Sequence, residues 1–174
     1  DLEAAEAARR ESEDRFQSLV RASPSGIYLA DVAGRCVYAN DSACAMAGLS
    51  PSEALGDGWQ AGLHPDDRER VSAAWQEMVA SECDWVEDYR FISREGKTTW
   101  VSGTIASIRD SAGQVTGYVG INIDITKRKE VEEALKASDE RFALAMEAAQ
   151  DGLFDWNLRT NSIFYSPGWK RLLG

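Results

Sequence analysis

Apolar and polar residues alternate along three long stretches, Trp85 to Ser93, Thr98 to Arg109 and Gln114 to Ile125, and a period of two marks half-buried strands. Arg94-Glu95-Gly96-Lys97 and Asp110-Ser111-Ala112-Gly113 separate them with the composition of hairpin turns. Two shorter segments, Ser25 to Asp31 and Arg35 to Ala39, form a further hairpin across Val32-Ala33-Gly34, whose glycine allows a left-handed turn. Between the two groups of strands the signals become those of helix starts. Asn40-Asp41-Ser42 offers N-cap chemistry to a helix through Ala43 to Ala47 that Gly48 closes. Ser50 before Pro51 opens another helical turn, and Pro65 leads a longer helix, Asp66 to Ala80, with Asp66 and Asp67 at the positive end of its dipole. At either side stand stretches rich in Ala, Glu, Lys and Arg, Leu2 to Ala22 and Lys127 to Ala149, which predict flanking helices.

The chain also repeats itself. Glu13-Asp14-Arg15-Phe16 overlies Asp139-Glu140-Arg141-Phe142, and at the same offset Gly26-Ile27-Tyr28 meets Gly152-Leu153-Phe154, Val37-Tyr38 meets Ile163-Phe164, and Gly48 meets Gly174. The expected organisation is a helical linker over 1–22, a domain over 23–126, a connecting helix over 127–146, and the truncated start of a second copy over 147–174. That last piece is too short to close a core unaided. On the connecting helix Val131, Leu135, Ser138 and Phe142 recur at spacings of four, three and four. Such a seam predicts pairing with a second helix, as in a coiled-coil homodimer.

Composition narrows the function classes. A formal charge of −10 with no basic stripe argues against direct nucleic-acid binding. Runs such as Ile27 to Ala30 and Val119 to Ile125 are too short to cross a bilayer, and Asp1 begins no secretory signal pattern. Cys36, Cys44 and Cys83 are odd in number and widely spaced, which predicts buried structural thiols in a reducing, cytoplasmic compartment. Enzyme signatures are missing: no nucleophile elbow, no P-loop, no HExxH. His64, the single histidine, precedes Pro65 and reads as a turn or capping residue, with Asp66 and Asp67 accounted for by the helix start.

Several strings then acquire meaning by their order: Tyr38-Ala39-Asn40-Asp41-Ser42-Ala43, Trp59 followed by Leu63-His64-Pro65-Asp66-Asp67-Arg68, Asp88-Tyr89-Arg90-Phe91, Gly96 to Trp100, and Gly120 to Thr126. Together they resemble the PAS family with a PAC segment, as in sensor histidine kinases and diguanylate cyclases. The resemblance implies an α+β PAS fold, a five-stranded antiparallel sheet with short helices over one face, between N- and C-terminal signalling helices. Positions matching flavin-binding light-oxygen-voltage relatives put Tyr28, Ala30, Trp85, Glu87, Tyr89, Phe91, Val101, Gly103, Ile105, Tyr118, Gly120 and Asn122 on the inner face. With Trp59, these supply the candidate ligand cavity: Tyr28, Ala30, Trp59, Trp85, Glu87, Tyr89, Phe91, Gly103, Ile105, Tyr118 and Asn122. Trp100, Val119, Ile121 and Ile123 fall outside, an apolar face in want of cover.

The same comparison argues against the usual chromophores. Trp59 occupies the position of the reactive cysteine of light-oxygen-voltage relatives, Phe91 and Val101 replace amides that hold the flavin ring, and only Asn122 remains as an amide. The long helix lacks the histidine with which oxygen-sensing relatives hold haem. A cofactor-free module is therefore expected, with a flavin- or haem-binding redox or gas sensor as the alternative. At the exit, Asp124-Ile125-Thr126 matches the family's junction, where Asp and Thr tie strand to helix and Thr126 can cap that helix. What the resemblance implies is a non-catalytic sensory module of a larger regulator, signalling through this junction. Its expected partners are a second copy, through the flanking helices and outer sheet face, and neighbouring PAS and output domains of its own chain.

Overall fold

The computed structural model describes residues 2–148, 154–166 and 168–169. It divides into two units, 1–126 and 127–174. In the first, helix α1 (Leu2–Ala22) leads into strands β1 (Gly26–Ala30) and β2 (Cys36–Ala39). Helices α2 (Asp41–Ala47) and α3 (Pro51–Ala54), a 3-10 turn (Gly58–Gly62) and helix α4 (Pro65–Ser81) follow, and then the long strands β3 (Trp85–Ile92), β4 (Thr98–Arg109) and β5 (Val115–Asp124). The five strands form one antiparallel sheet in the order β2-β1-β5-β4-β3, so the last strand lies at the centre. This is the architecture the sequence implied.

Local chemistry explains the element boundaries. Asn40, rather than the following two residues, is the N-cap of α2, which starts at Asp41. Its side-chain oxygen accepts from the N–H groups of Ala43 and Ile27, both at 2.9 Å, while its amide nitrogen donates to the carbonyls of Val20 and Ser25 at 2.8 and 3.1 Å. One buried amide, fully satisfied, thus joins the end of α1, strand β1 and helix α2. α1 accordingly belongs to the first unit. Ser50 and Glu53 make a reciprocal capping box on α3. His64 caps α4, its ring nitrogen accepting from the Asp66 N–H at 3.3 Å.

The core lies between the sheet's inner face and the helices. Leu63, Val101 and Ile105 are wholly buried, and Val71, Trp75 and Met78 project from α4 at spacings of four and three. Two inner-face glycines matter sterically. A methyl at Gly103 would come within 2.7 Å of the Tyr89 ring, and one at Gly120 would overlap the Tyr28 ring. The sheet surrenders two side chains so that two tyrosines can lie flat against it. Outside, Trp100 and Val119 are half-buried while Ile121 and Ile123 are exposed.

Cys36 and Cys44 are buried, and burial raises the pKa of both thiols. Cys83 departs from the expectation: it is exposed, in the surface turn between α4 and β3.

In the second unit, helix α5 (Thr126–Ala148) begins one residue before the unit's nominal boundary and carries Val131, Leu135 and Phe142, all exposed. It is followed by a hairpin of β6 (Phe154–Asn157) and β7 (Ser162–Tyr165). Phe154 faces Tyr165 and Asp155 faces Phe164, which repeats, 126 positions on, the pairing of Tyr28 with Ala39 and Leu29 with Tyr38 in the first hairpin. The repeat therefore extends from residue identity to strand register. Gly152, Leu153 and Gly174, which carry other parts of that repeat, lie outside the described residues.

Candidate functional site

Beneath α2 and α4 the sheet encloses a cavity with about 40 Å³ of free space. Its walls are the rings of Tyr28, Trp59, Trp75, Trp85, Tyr89 and Phe91, the small side chains of Cys36, Ala39, Ala43, Ala47 and Ala54, and Val71 and Asn122. Of the residues singled out from sequence, Tyr28, Trp59, Trp85, Tyr89, Phe91 and Asn122 meet there. Four others contribute behind the wall: Ala30, Ile105 and Tyr118 pack in the adjoining core with Trp75 and Met78, and Gly103 lies under Tyr89. Glu87 is a correction. It shares the inner side of β3 but is no part of the wall, because it reaches the rim and pairs with Arg70 of α4, where both charges keep contact with water.

The wall's polar groups are connected. The Tyr89 hydroxyl donates to the Asn122 side-chain oxygen at 3.0 Å, and the Tyr28 and Tyr89 phenols interact electrostatically. Burial raises the pKa of both phenols, that of Tyr28 well above its ordinary value. Trp75 donates its indole N–H to the Gly34 carbonyl at 3.0 Å and meets Trp59 edge-on at 5.3 Å.

A second constellation stands where β5 becomes α5. The Ile125 N–H donates to the Trp100 carbonyl at 2.9 Å, and the Trp100 N–H donates to the Thr126 hydroxyl oxygen at 3.0 Å. Thr126 was expected to cap α5; instead its oxygen accepts from the neighbouring strand, and the Asp124 carboxylate accepts the Thr126 N–H at 2.8 Å. Thr126, the first residue of α5 and the last of the first unit, is thereby held to β4. On the other side of this stitch the Arg90 guanidinium lies 5.2 Å from the Trp100 ring centre. Arg90 also makes a two-pronged contact with Asp67 of α4, at 2.8 and 2.9 Å, and its backbone N–H donates to the same carboxylate at 3.0 Å. These hydrogen bonds hold Asp67 down at a pKa of about 2 and raise that of Arg90. α4, which walls the cavity, is so linked through Arg90 and Trp100 to Thr126.

Sequence comparison assigns this arrangement. The family described as the PAS fold matches residues 36–122. The chain belongs to the PAS fold family. Among its relatives is the protein y4lL of Sinorhizobium fredii, 32% identical over 138 residues that make up 79% of this chain and 17% of y4lL. The probable diguanylate cyclase DgcE of Escherichia coli is 25% identical over 152 residues, 87% of this chain and 14% of DgcE. The chain thus spans less than a fifth of the length of these curated relatives. A sensory box histidine kinase/response regulator from Burkholderia thailandensis superposes with a TM-score of 0.54 at 29% identity, covering 74% of this chain and 97% of that one. This is a PAS sensory domain, related to domains of sensor kinases and cyclases.

The PAS cavity is a poor match for the large cofactors. With about 40 Å³ free, the cavity is far smaller than three fused flavin rings would require. Phe91 and Val101 donate nothing, and the wall holds no histidine; its sole thiol, Cys36, is kept protonated by burial. Flavin and haem therefore do not fit this site. Sequence reasoning missed Trp75, Val71 and the alanines of α2 and α3 as wall residues. The spacing of Val71, Trp75 and Met78 carries the signal for the first two, since it defines the buried face of α4. Among the described residues no helix is long and apolar enough to cross a membrane.

Proposed function

We propose that this PAS domain senses at its cavity and relays the change to α5 through the Asp124-Ile125-Thr126 junction, as a non-catalytic module of a multi-domain regulator working in the cytoplasm. The observation that carries the proposal is the double hold on Trp100, whose carbonyl and N–H are bonded to the two residues that lead into α5. A shift of β4 therefore pulls on the helix start rather than on a slack tether. The Asp67–Arg90 pair supplies the input side, because α4 lines the cavity with Val71 and Trp75 while its first turn grips β3. Occupancy then biases two positions of α5, a population shift in which the guest favours one. Catalysis, cyclase or kinase, would reside in other domains of the same chain.

Thr126→Val keeps the shape and removes the acceptor. Amide exchange at Trp100 is expected to speed up at least tenfold, with signal-dependent output in the full-length regulator lost. Output that still responds as in the wild type would end the relay proposal.

The outgoing helix also supports pairing with a second copy. Val131, Leu135 and Phe142 are exposed along one a/d-like seam of α5, and Ile121 and Ile123 are exposed on the outer sheet face. Leu135→Glu would set two carboxylates against each other in such a seam, so sedimentation should report a dimer for the wild type and a monomer for the variant. A wild-type chain that sediments as a monomer at all accessible concentrations would refute the pairing. The hairpin β6–β7, with the first hairpin's register, supports a following second PAS domain as the neighbour that α5 addresses.

A further inference from the structure

Asn122 is 3% exposed and stands at the centre of the sheet with its side chain in the cavity wall. Its oxygen is used by the Tyr89 hydroxyl. Among the described residues, no acceptor is bonded to the Asn122 side-chain nitrogen. That nitrogen is not sealed in the core: it opens onto the cavity, where a water or a guest can supply the acceptor.

The surroundings say what that guest can be. No wall residue is charged. Arg90 is committed to Asp67, and Arg70 to Glu87 and Asp67. An ionised carboxylate or phosphate entering the cavity would lose its hydration with no cation to replace it. Size sets a further limit. About 40 Å³ is well short of the apolar cavity of about 150 Å³ that a benzene ring occupies. A ring-sized guest enters only if Trp59, half-buried on the 3-10 turn, gives way.

We infer that the cavity takes a compact, uncharged molecule of at most one ring, which presents one hydrogen-bond acceptor to Asn122 and an apolar body to the aromatic wall. This ligand class rests on the sensory reading above and specifies it. Ions are refused by desolvation, and two- or three-ring chromophores by size.

The test compares cyclohexanone with cyclohexanecarboxylate on the intact chain, following amide and side-chain NMR signals and the thermal midpoint. Cyclohexanone is expected to move the Asn122 side-chain amide signals and raise the midpoint; the carboxylate at equal concentration should do neither. Asn122→Leu is expected to weaken ketone binding roughly five- to tenfold. Equal binding of both probes, no cavity response to the ketone, or wild-type affinity in a folded Asn122→Leu chain would each overturn the inference. The two readings fail separately. Ketone binding that leaves Trp100 and Thr126 unmoved counts against the relay and for the ligand class. Loss of output in Thr126→Val without ketone binding does the reverse.

Discussion

Trp75→Ala is expected to destabilise the first unit by about 3–5 kcal/mol, the range for removing a large buried aromatic from a core. Trp75 is 7% exposed, and its ring is in contact with both Trp59 and Tyr28, with centroids 5.3 and 6.2 Å away. Its N–H also ties α4 to the β1–β2 turn through the Gly34 carbonyl, so the alanine leaves both a void and a carbonyl short of its donor. Trp75→Phe separates the two contributions: it keeps most of the ring and loses the hydrogen bond, at about 1–2 kcal/mol. Urea denaturation followed by far-ultraviolet circular dichroism measures both. A Trp75→Ala chain within 1 kcal/mol of the wild type would mean that the indole is not a structural wall of the cavity.

The second large effect concerns Asp67→Asn. The carboxylate is nearly buried, and its pKa falls from 3.8 to about 2 through its bonds to Arg90. A group whose pKa is depressed by folding contributes stability that is complete above the unfolded value and disappears as pH falls toward the folded one. Here that window runs from about pH 4 down to about pH 2, and the contribution is about 2 kcal/mol. Asp67→Asn should lose it at neutral pH, and should show a flatter decline of stability across that window than the wild type. Asp66, His64 and Arg70 adjoin the pair in both proteins, so the comparison of the two curves reports on Asp67. Parallel acid limbs would show that the Arg90 contact contributes nothing to folding. The same variant loosens α4 from β3, so a weaker coupling between cavity and α5 should accompany the loss of stability.

Much of the first unit was legible because its decisive signals are local. Asp31 accepts from the N–H groups of Ala33 and Arg35 ahead of a left-handed Gly34, and Asp110 does the same for Ala112 and Gln114 ahead of a left-handed Gly113. Turns of this kind are read within five residues. Alternation along β3 put Trp85, Tyr89 and Phe91 on one side, where they line the cavity. Partnerships across long separations were not legible. Asp67 and Arg90 stand 23 residues apart, Trp100 and Thr126 26, and Trp75 and Gly34 41. Glu87 shows the limit of a face assignment: periodicity grouped it with Trp85, Tyr89 and Phe91, the family resemblance put that group inside, and only Arg70, on a different element, decided that it ends at the rim.

The amino-acid order determined where strands, turns and helix starts fall, that a hairpin recurs 126 positions later, and which side chains of a strand share a face. Those are consequences of backbone sterics and short-range hydrogen bonding, which act between neighbours. Tertiary structure decided how much room the inner face leaves, that Asn122 keeps an unused donor there, and that Thr126 is held by β4 rather than by its own helix. These depend on which distant groups arrive within about 3 Å of each other, and that is fixed only when the sheet and α4 close on a common core.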